Sequence, residues 1–220
     1  MTVELPSSPL AEVDPEFEII ALETAGLTFG LQKTSVREKL LQNLTHDLCR
    51  SQLGLAFQMH VTAAKMHAIP YADLQAAIRF IAPYAGYPAA ADALARLKEI
   101  ASDIAMDTRD VGEPPAPGDD GDPVQTLDVT DEWMVEFLNS RTARASSDTR
   151  LTKRKRAILA ITSDVSQQIL EDSFRMHVKL ALDAGLSKDD VRDVVRFCAE
   201  HGVTKAVAAL RDLDTMLDSY

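Results

Sequence analysis

Apolar residues recur every three or four positions along most of this 220-residue chain. In "TSVREKLLQNLTHDLCRS", residues 34–51, Val36, Leu40, Leu41, Leu44 and Leu48 share one side of a helix. Leu170, Phe174, Val178 and Ala181 form a second such stripe. Pro70 and Ser187 mark further helix starts, and Asp189 and Asp190 sit in a first turn, where the helix dipole favours acids. "PAAADALARLKEIASDI" and "TKAVAALRDLDTMLDS" carry the same period. Two leading helices begin at "DPEFEIIALETAG" and "TDEWMVEFLNS", each with an acidic cap ahead of apolar positions. Alternation of period two is absent, and glycine and aromatic residues are few. The pattern predicts an all-α protein.

One histidine in each half interrupts an apolar stripe. Residues 53–64 read "LGLAFQMHVTAA", and Leu53, Phe57, Met59, His60, Val61 and Ala64 reappear as Leu170, Phe174, Met176, His177, Val178 and Ala181. The spacing is a constant 117 positions (60 to 177). It extends to Arg37 and Arg154, Asp47 and Asp164, Asp73 and Asp190, and Arg79-Phe80 and Arg196-Phe197. One deletion then shifts it to 116, pairing Gly86 with Gly202 and Ala93-Leu94 with Ala209-Leu210. The expectation is a helical bundle of two tandem repeats. The first repeat with its leading helix takes 1–106, an acidic Pro/Gly-rich linker 107–127, and the second repeat 128–220. The linker stretch "DTRDVGEPPAPGDDGDPVQ" cannot bury enough apolar surface to order itself.

Composition narrows the function. A formal net charge of −11 argues against nucleic-acid binding, which needs a basic footprint. The N-terminus lacks the basic start and apolar run of a signal peptide, and no run reaches membrane-spanning length. Cys49 and Cys198 form no CxxC, and the cysteine usage fits a cytoplasmic location. No metal-ligand pattern surrounds them. "KRKR", residues 153–156, reads as a solvated helix face, and Trp133 as an aromatic that docks the second leading helix on the core. His46, His67 and His201, with no matching histidines, read as surface residues.

An Arg-rich helix start, F-x-M-H, "DAGLSKDDV" and "YAGYPAAADALARLKEI" together resemble the carboxymuconolactone decarboxylase family, whose superfamily includes the alkylhydroperoxidase D-like proteins. The resemblance covers roughly residues 14–105 and 130–217. It implies a compact all-helical fold and a homo-oligomer, a trimer for a chain of two repeats. The peroxidase branch carries a CxxC seven and four positions before the histidine. Here those positions are Leu53 and Ala56, or Leu170 and Ser173, so dithiol redox chemistry is excluded. The glutamate that the decarboxylase branch often has four before the histidine is also replaced, by Ala56 or Ser173. That speaks against the family's namesake reaction.

The candidate catalytic residues are His177, His60 and Ser173. An imidazole titrates near neutral pH and can act as general acid or base. The family pattern turns His177 toward a pocket, and Ser173, one turn earlier, is placed to fix its tautomer. Such a pocket histidine should cost about 1 kcal/mol or less to remove. His60 has the barer neighbourhood and is the weaker candidate. Arg175, Arg79, Arg196 and Tyr84 are candidates for binding a substrate's oxygen atoms, with surface or helix-contact ion pairs as the rival role of the arginines. The expected activity is cofactor-independent and metal-free: decarboxylation, isomerisation or cyclisation of a small oxygenated organic molecule. The alternative is a non-catalytic binding or structural member of the same superfamily.

Overall fold

The computed structural model describes residues 9–109 and 129–218. From residue 110 on, the linker expected at 107–127 lies outside the described residues. The described residues contain helices and no strand. The first half runs α1 (Leu10–Val13), α2 (Pro15–Phe29), α3 (Val36–Cys49), α4 (Leu55–Met66), α5 (Tyr71–Ala85) and α6 (Tyr87–Asp103). The second runs α7 (Glu132–Ser146), α8 (Lys153–Gln167), α9 (Asp172–Asp183), α10 (Lys188–Phe197), a 3-10 turn (Cys198–His201) and α11 (Val203–Leu217). The starts of α3 and α8, α4 and α9, and α5 and α10 are 117 positions apart, as between 36 and 153. Those of α6 and α11 are 116 apart, at 87 and 203.

Local chemistry sets these boundaries. Ser35 and Ser187 close reciprocal capping boxes with Glu38 and Asp190, satisfying amides that a helix start leaves open. Thr152 and Asp131 cap α8 and α7. Asp14 caps α2, with Pro15 at its first position. Gly86 and Gly202 have φ of 99° and 148°, which side chains disfavour, and each breaks the chain before the last helix of its half.

Helices α3 and α8 pack against each other at the centre of the molecule. The amphipathic stripe describes only half of what they bury. Lys39, Gln42, Asn43, His46 and Asp47 are buried on α3, and Arg156, Thr162, Ser163 and Asp164 on α8. Their polar groups find partners across the contact. Gln42 Nε2 donates to Thr162 Oγ1 at 2.9 Å and to the Val194 carbonyl at 3.0 Å. Around this pair lie two apolar clusters, one for each half; the first also takes in Leu151, Leu159, Ala160 and Phe197.

Two expectations are corrected. The basic run 153–156 is not a solvated face. Arg156 is 1% exposed and donates to the Leu151 carbonyl. Arg154 bonds Glu38 at 2.7 Å and the Lys33 carbonyl at 2.9 Å. Nor does Trp133 dock on the core. It is 64% exposed and stacks on Phe137 with ring centroids 5.1 Å apart, because α7 contributes no buried residue. The other leading helix likewise exposes Phe17, Ile19, Ile20 and Leu27. Among the described residues no helix is long and apolar enough to cross a membrane.

Candidate functional site

The turn after α8 builds the site. Gln168 adopts the left-handed conformation with φ of 60°, and the Ile169 amide returns to the Asp164 carbonyl at 3.0 Å. The chain reverses, and α9 packs back along α8. His177 thereby lands beside Asp164, thirteen residues earlier. Its Nδ1 lies 2.6 Å from Asp164 Oδ2. The Ser173 hydroxyl donates to the other oxygen, Oδ1, at 2.8 Å. Both members of the pair are buried, His177 at 1% exposure. An ionised carboxylate only accepts, so Nδ1 carries the proton and a neutral His177 keeps its lone pair on Nε2. That Nε2 is buried and has no hydrogen-bond partner among the described residues.

His177 lines a cavity of about 270 Å³. Helices α8 and α9 form one side, with Ala160, Met176 and Leu180, and α7 supplies Leu138 and Thr142. The remaining wall is Phe80, Pro83 and Tyr84, from α5 of the first half. The Tyr84 ring meets the imidazole edge-on with centroids 5.4 Å apart. Lys153 and Arg156 also line this cavity.

A second cavity, of about 600 Å³, repeats the plan around His60. Ser51 takes the left-handed conformation with φ of 53°, α4 folds back on α3, and His60 Nδ1 lies 2.6 Å from Asp47 Oδ2. Helix α2 covers this cavity as α7 covers the first. Glu200 and His201, from the second half, take the places of Pro83 and Tyr84. Burial alone would lower the His60 pKa, but the hydrogen bond and charge of Asp47 outweigh it and raise it. Burial raises Asp47. The pair therefore holds its shared proton firmly.

The sequence candidates scatter on this geometry. His177, Ser173 and Tyr84 line the first cavity and His60 the second. Ser173 bonds Asp164 rather than His177, so it orients the histidine only through the aspartate. The candidate arginines line neither cavity. Arg79 pairs with Asp148 at 2.7 Å and Arg196 with Asp193 at 2.8 Å, while Arg175 is exposed on the far side of α9. Asp164 and Asp47 complete the two histidine sites and are not among the sequence candidates, although the 117-position spacing matches them. Burial pushes the thiols of Cys49 and Cys198 up to about 11 and about 12, which keeps both protonated and unreactive.

His46 and His201 are not surface residues. Their rings stack with centroids 4.0 Å apart at the polar end of the second cavity. His46 Nδ1 lies 2.9 Å from Ser166 Oγ, and His201 Nε2 lies 3.0 Å from Asn43 Oδ1. Burial, then the charges of Lys205 and Arg50, push His46 down to about 4. Burial, then His46, pushes His201 well down. The unfolded chain thus binds protons that the fold refuses. His46 contributes stability that is complete above about pH 6.5 and lost as pH falls toward 4. Discounted for partial solvent contact, that loss should be roughly 2 kcal/mol. His60 runs the other way, adding stability below its unfolded pKa that is lost as pH rises through its folded value. Acid melting curves should therefore flatten in His46→Gln. An unchanged acid slope in that variant would show that the stacked pair does not control acid stability.

Residues 130–214 match the Carboxymuconolactone decarboxylase family. The stretch that holds Asp164, Ser173 and His177 is thus a carboxymuconolactone decarboxylase-like domain, within an all-helical fold. No curated protein matches the chain in a sequence comparison.

Proposed function

We propose that the protein is a cofactor-independent enzyme of the carboxymuconolactone decarboxylase-like type, built from two tandem copies of one helical unit. It moves a proton on a small, largely apolar, oxygenated molecule held in the first cavity. One observation carries this reading: His177 Nε2 is buried without a partner at a cavity while Nδ1 is fixed by Asp164. An unpaired buried nitrogen costs about 1–3 kcal/mol, a cost that a ligand in the cavity would relieve.

The chemistry follows from that arrangement. Nε2 removes a proton from a carbon next to a carbonyl, and Asp164 stabilises the imidazolium that forms. Returning the proton at another carbon completes an isomerisation; in a ring closure the carbanion adds to a carbonyl carbon, whose π bond opens, and the carbonyl oxygen takes the proton. In a decarboxylation Nε2 first takes the proton of the substrate's carboxylic acid; the carbon–carbon bond then breaks with release of CO2, its electron pair stays on carbon, and the imidazolium Nε2–H protonates that carbon. Ser173 holds the second oxygen of Asp164 and so keeps the carboxylate in register. The apolar walls exclude water from the reacting atoms, and Lys153 and Arg156 favour an acidic substrate. Incubating the full chain in D2O with β-keto acids and unsaturated lactone acids, and following exchange and CO2 release by NMR, tests this. Panel members that raise the melting temperature yet show neither exchange nor release would indicate a binder without catalysis.

The exposed apolar side chains of α2 and α7, among them Phe17, Ile20, Trp133 and Phe137, support self-association. The family resemblance supplies the number. Light scattering should give three times the chain's 24.1 kDa, and a stable monomer at dilute concentration would reject the trimer.

A further inference from the structure

Beyond the shared Asp–His pair, the second cavity differs from the first in the groups it presents. Tyr84 is replaced by His201, Pro83 by Glu200, Ala160 by Asn43, Ile169 by Gln52 and Ser173 by Ala56. Three groups at its polar end are held from behind. Asp47 fixes His60 at 2.6 Å, Asn43 fixes His201 at 3.0 Å, and the Thr28 hydroxyl donates to Glu200 Oε2 at 2.7 Å. The His60 and His201 rings stand edge to face with centroids 6.4 Å apart, one contributed by each half. The opposite end of the cavity is apolar, with Phe17, Ile20, Leu22, Phe29, Leu55 and Met59. A decayed copy that had lost its ligand would fill with apolar side chains. This one is larger than its twin and its polar groups are preorganised.

Charge separates the two cavities further. Lys153 and Arg156 line the first. Neither lysine nor arginine lines the second. Lys39, the counterpart of Arg156, is turned away and donates to the carbonyls of Phe29 at 3.0 Å and of Leu31. Asp47 on the wall matches Asp164 in the first cavity, and Glu200 adds a carboxyl that the first cavity lacks, so an anion entering there would be poorly solvated. His60 on the wall, with Lys205 and Arg50 close behind His46, offsets those carboxyls and leaves no excess negative charge to select a cation.

We propose that the cavity around His60 is a second ligand site, for a neutral molecule with an apolar ring body and a carbonyl oxygen, larger than the ligand of the His177 cavity. The ring lies among Phe17, Ile20, Phe29 and Met59, and the oxygen accepts a hydrogen bond from Nε2–H of His60, whose ring Asp47 holds through Nδ1 and favours in its protonated form. The inference stands independently of catalysis at His177, because it concerns the other cavity and is read as binding.

The test uses the full chain and two bicyclic probes of similar size: 1-tetralone, which is neutral, and 1-naphthoate, which is anionic. Affinities are measured by ligand-observed NMR titration. Ala56→Trp plugs the second cavity, and His177→Asn alters only the first. Should Ala56→Trp fail to fold, Ala21→Trp fills the same space from the opposite wall. The expected result is that 1-tetralone binds, that the plug weakens it at least tenfold, and that His177→Asn leaves it within twofold. The affinity of 1-naphthoate should not respond to the plug. The proposal is overturned if 1-tetralone does not bind, if it ignores the plug, if it is lost in His177→Asn, or if the plug weakens both probes equally.

Discussion

Replacing His177 with asparagine should give a protein that folds and assembles but loses at least about a hundredfold of its exchange or turnover. The asparagine amide nitrogen occupies the region of Nδ1 and can still donate to Asp164 Oδ2. The buried carboxylate therefore keeps its partner while the only base at Nε2 disappears. His177→Ala is a harsher change. The sequence alone suggested a pocket histidine whose removal costs about 1 kcal/mol or less. The geometry corrects this, since His177 is 1% exposed and is one of two donors to Asp164. Its loss strands a buried carboxylate oxygen and should cost about 2–3 kcal/mol. Comparing the two variants by chemical denaturation and by turnover per folded molecule separates structure from catalysis. Unchanged turnover in His177→Asn would remove the histidine from the mechanism.

The largest loss of stability should come from Asp164→Ala, at about 3–5 kcal/mol. That change leaves Nδ1 of His177 and the Ser173 hydroxyl without their acceptor, inside the contact between α8 and α9. Asp164→Asn should be far milder in stability yet as damaging to rate. Its amide can donate to Nδ1, which shifts the histidine's proton onto Nε2 and converts the base into an acid. Activity that survives in Asp164→Asn would mean that the tautomer is not what the aspartate controls.

The helices were legible because their apolar positions recur at a helical period and their caps are ordinary ones. The histidine pair was legible because it repeats. Its aspartate partners were equally visible at the same spacing, but nothing local marks an aspartate thirteen residues away as a neighbour. Only the reversal at Gln168 or Ser51 brings the two together, and a left-handed glutamine or serine leaves no signature in sequence. Arg156 and His46 were misjudged for another reason. Polarity predicts exposure only for a helix with one wet face, and α3 and α8 have none, because each is covered on its polar side by the other half. The arginine candidates lie outside both cavities because periodicity fixes a side of a helix but not the neighbour across from it. Arg79 meets Asp148 there.

Each cavity closes on a wall borrowed from the opposite half: Tyr84 for the first, Glu200 and His201 for the second. The chain therefore cannot be cut into two pieces that each keep a complete pocket. Two separate halves would have to find each other in solution, whereas one polypeptide holds them at a high effective concentration. A symmetric pair of identical chains would build two identical pockets, and every substitution would strike both. A single chain encodes the two pockets at different codons, so one can drift in shape and charge while its twin stays as it was.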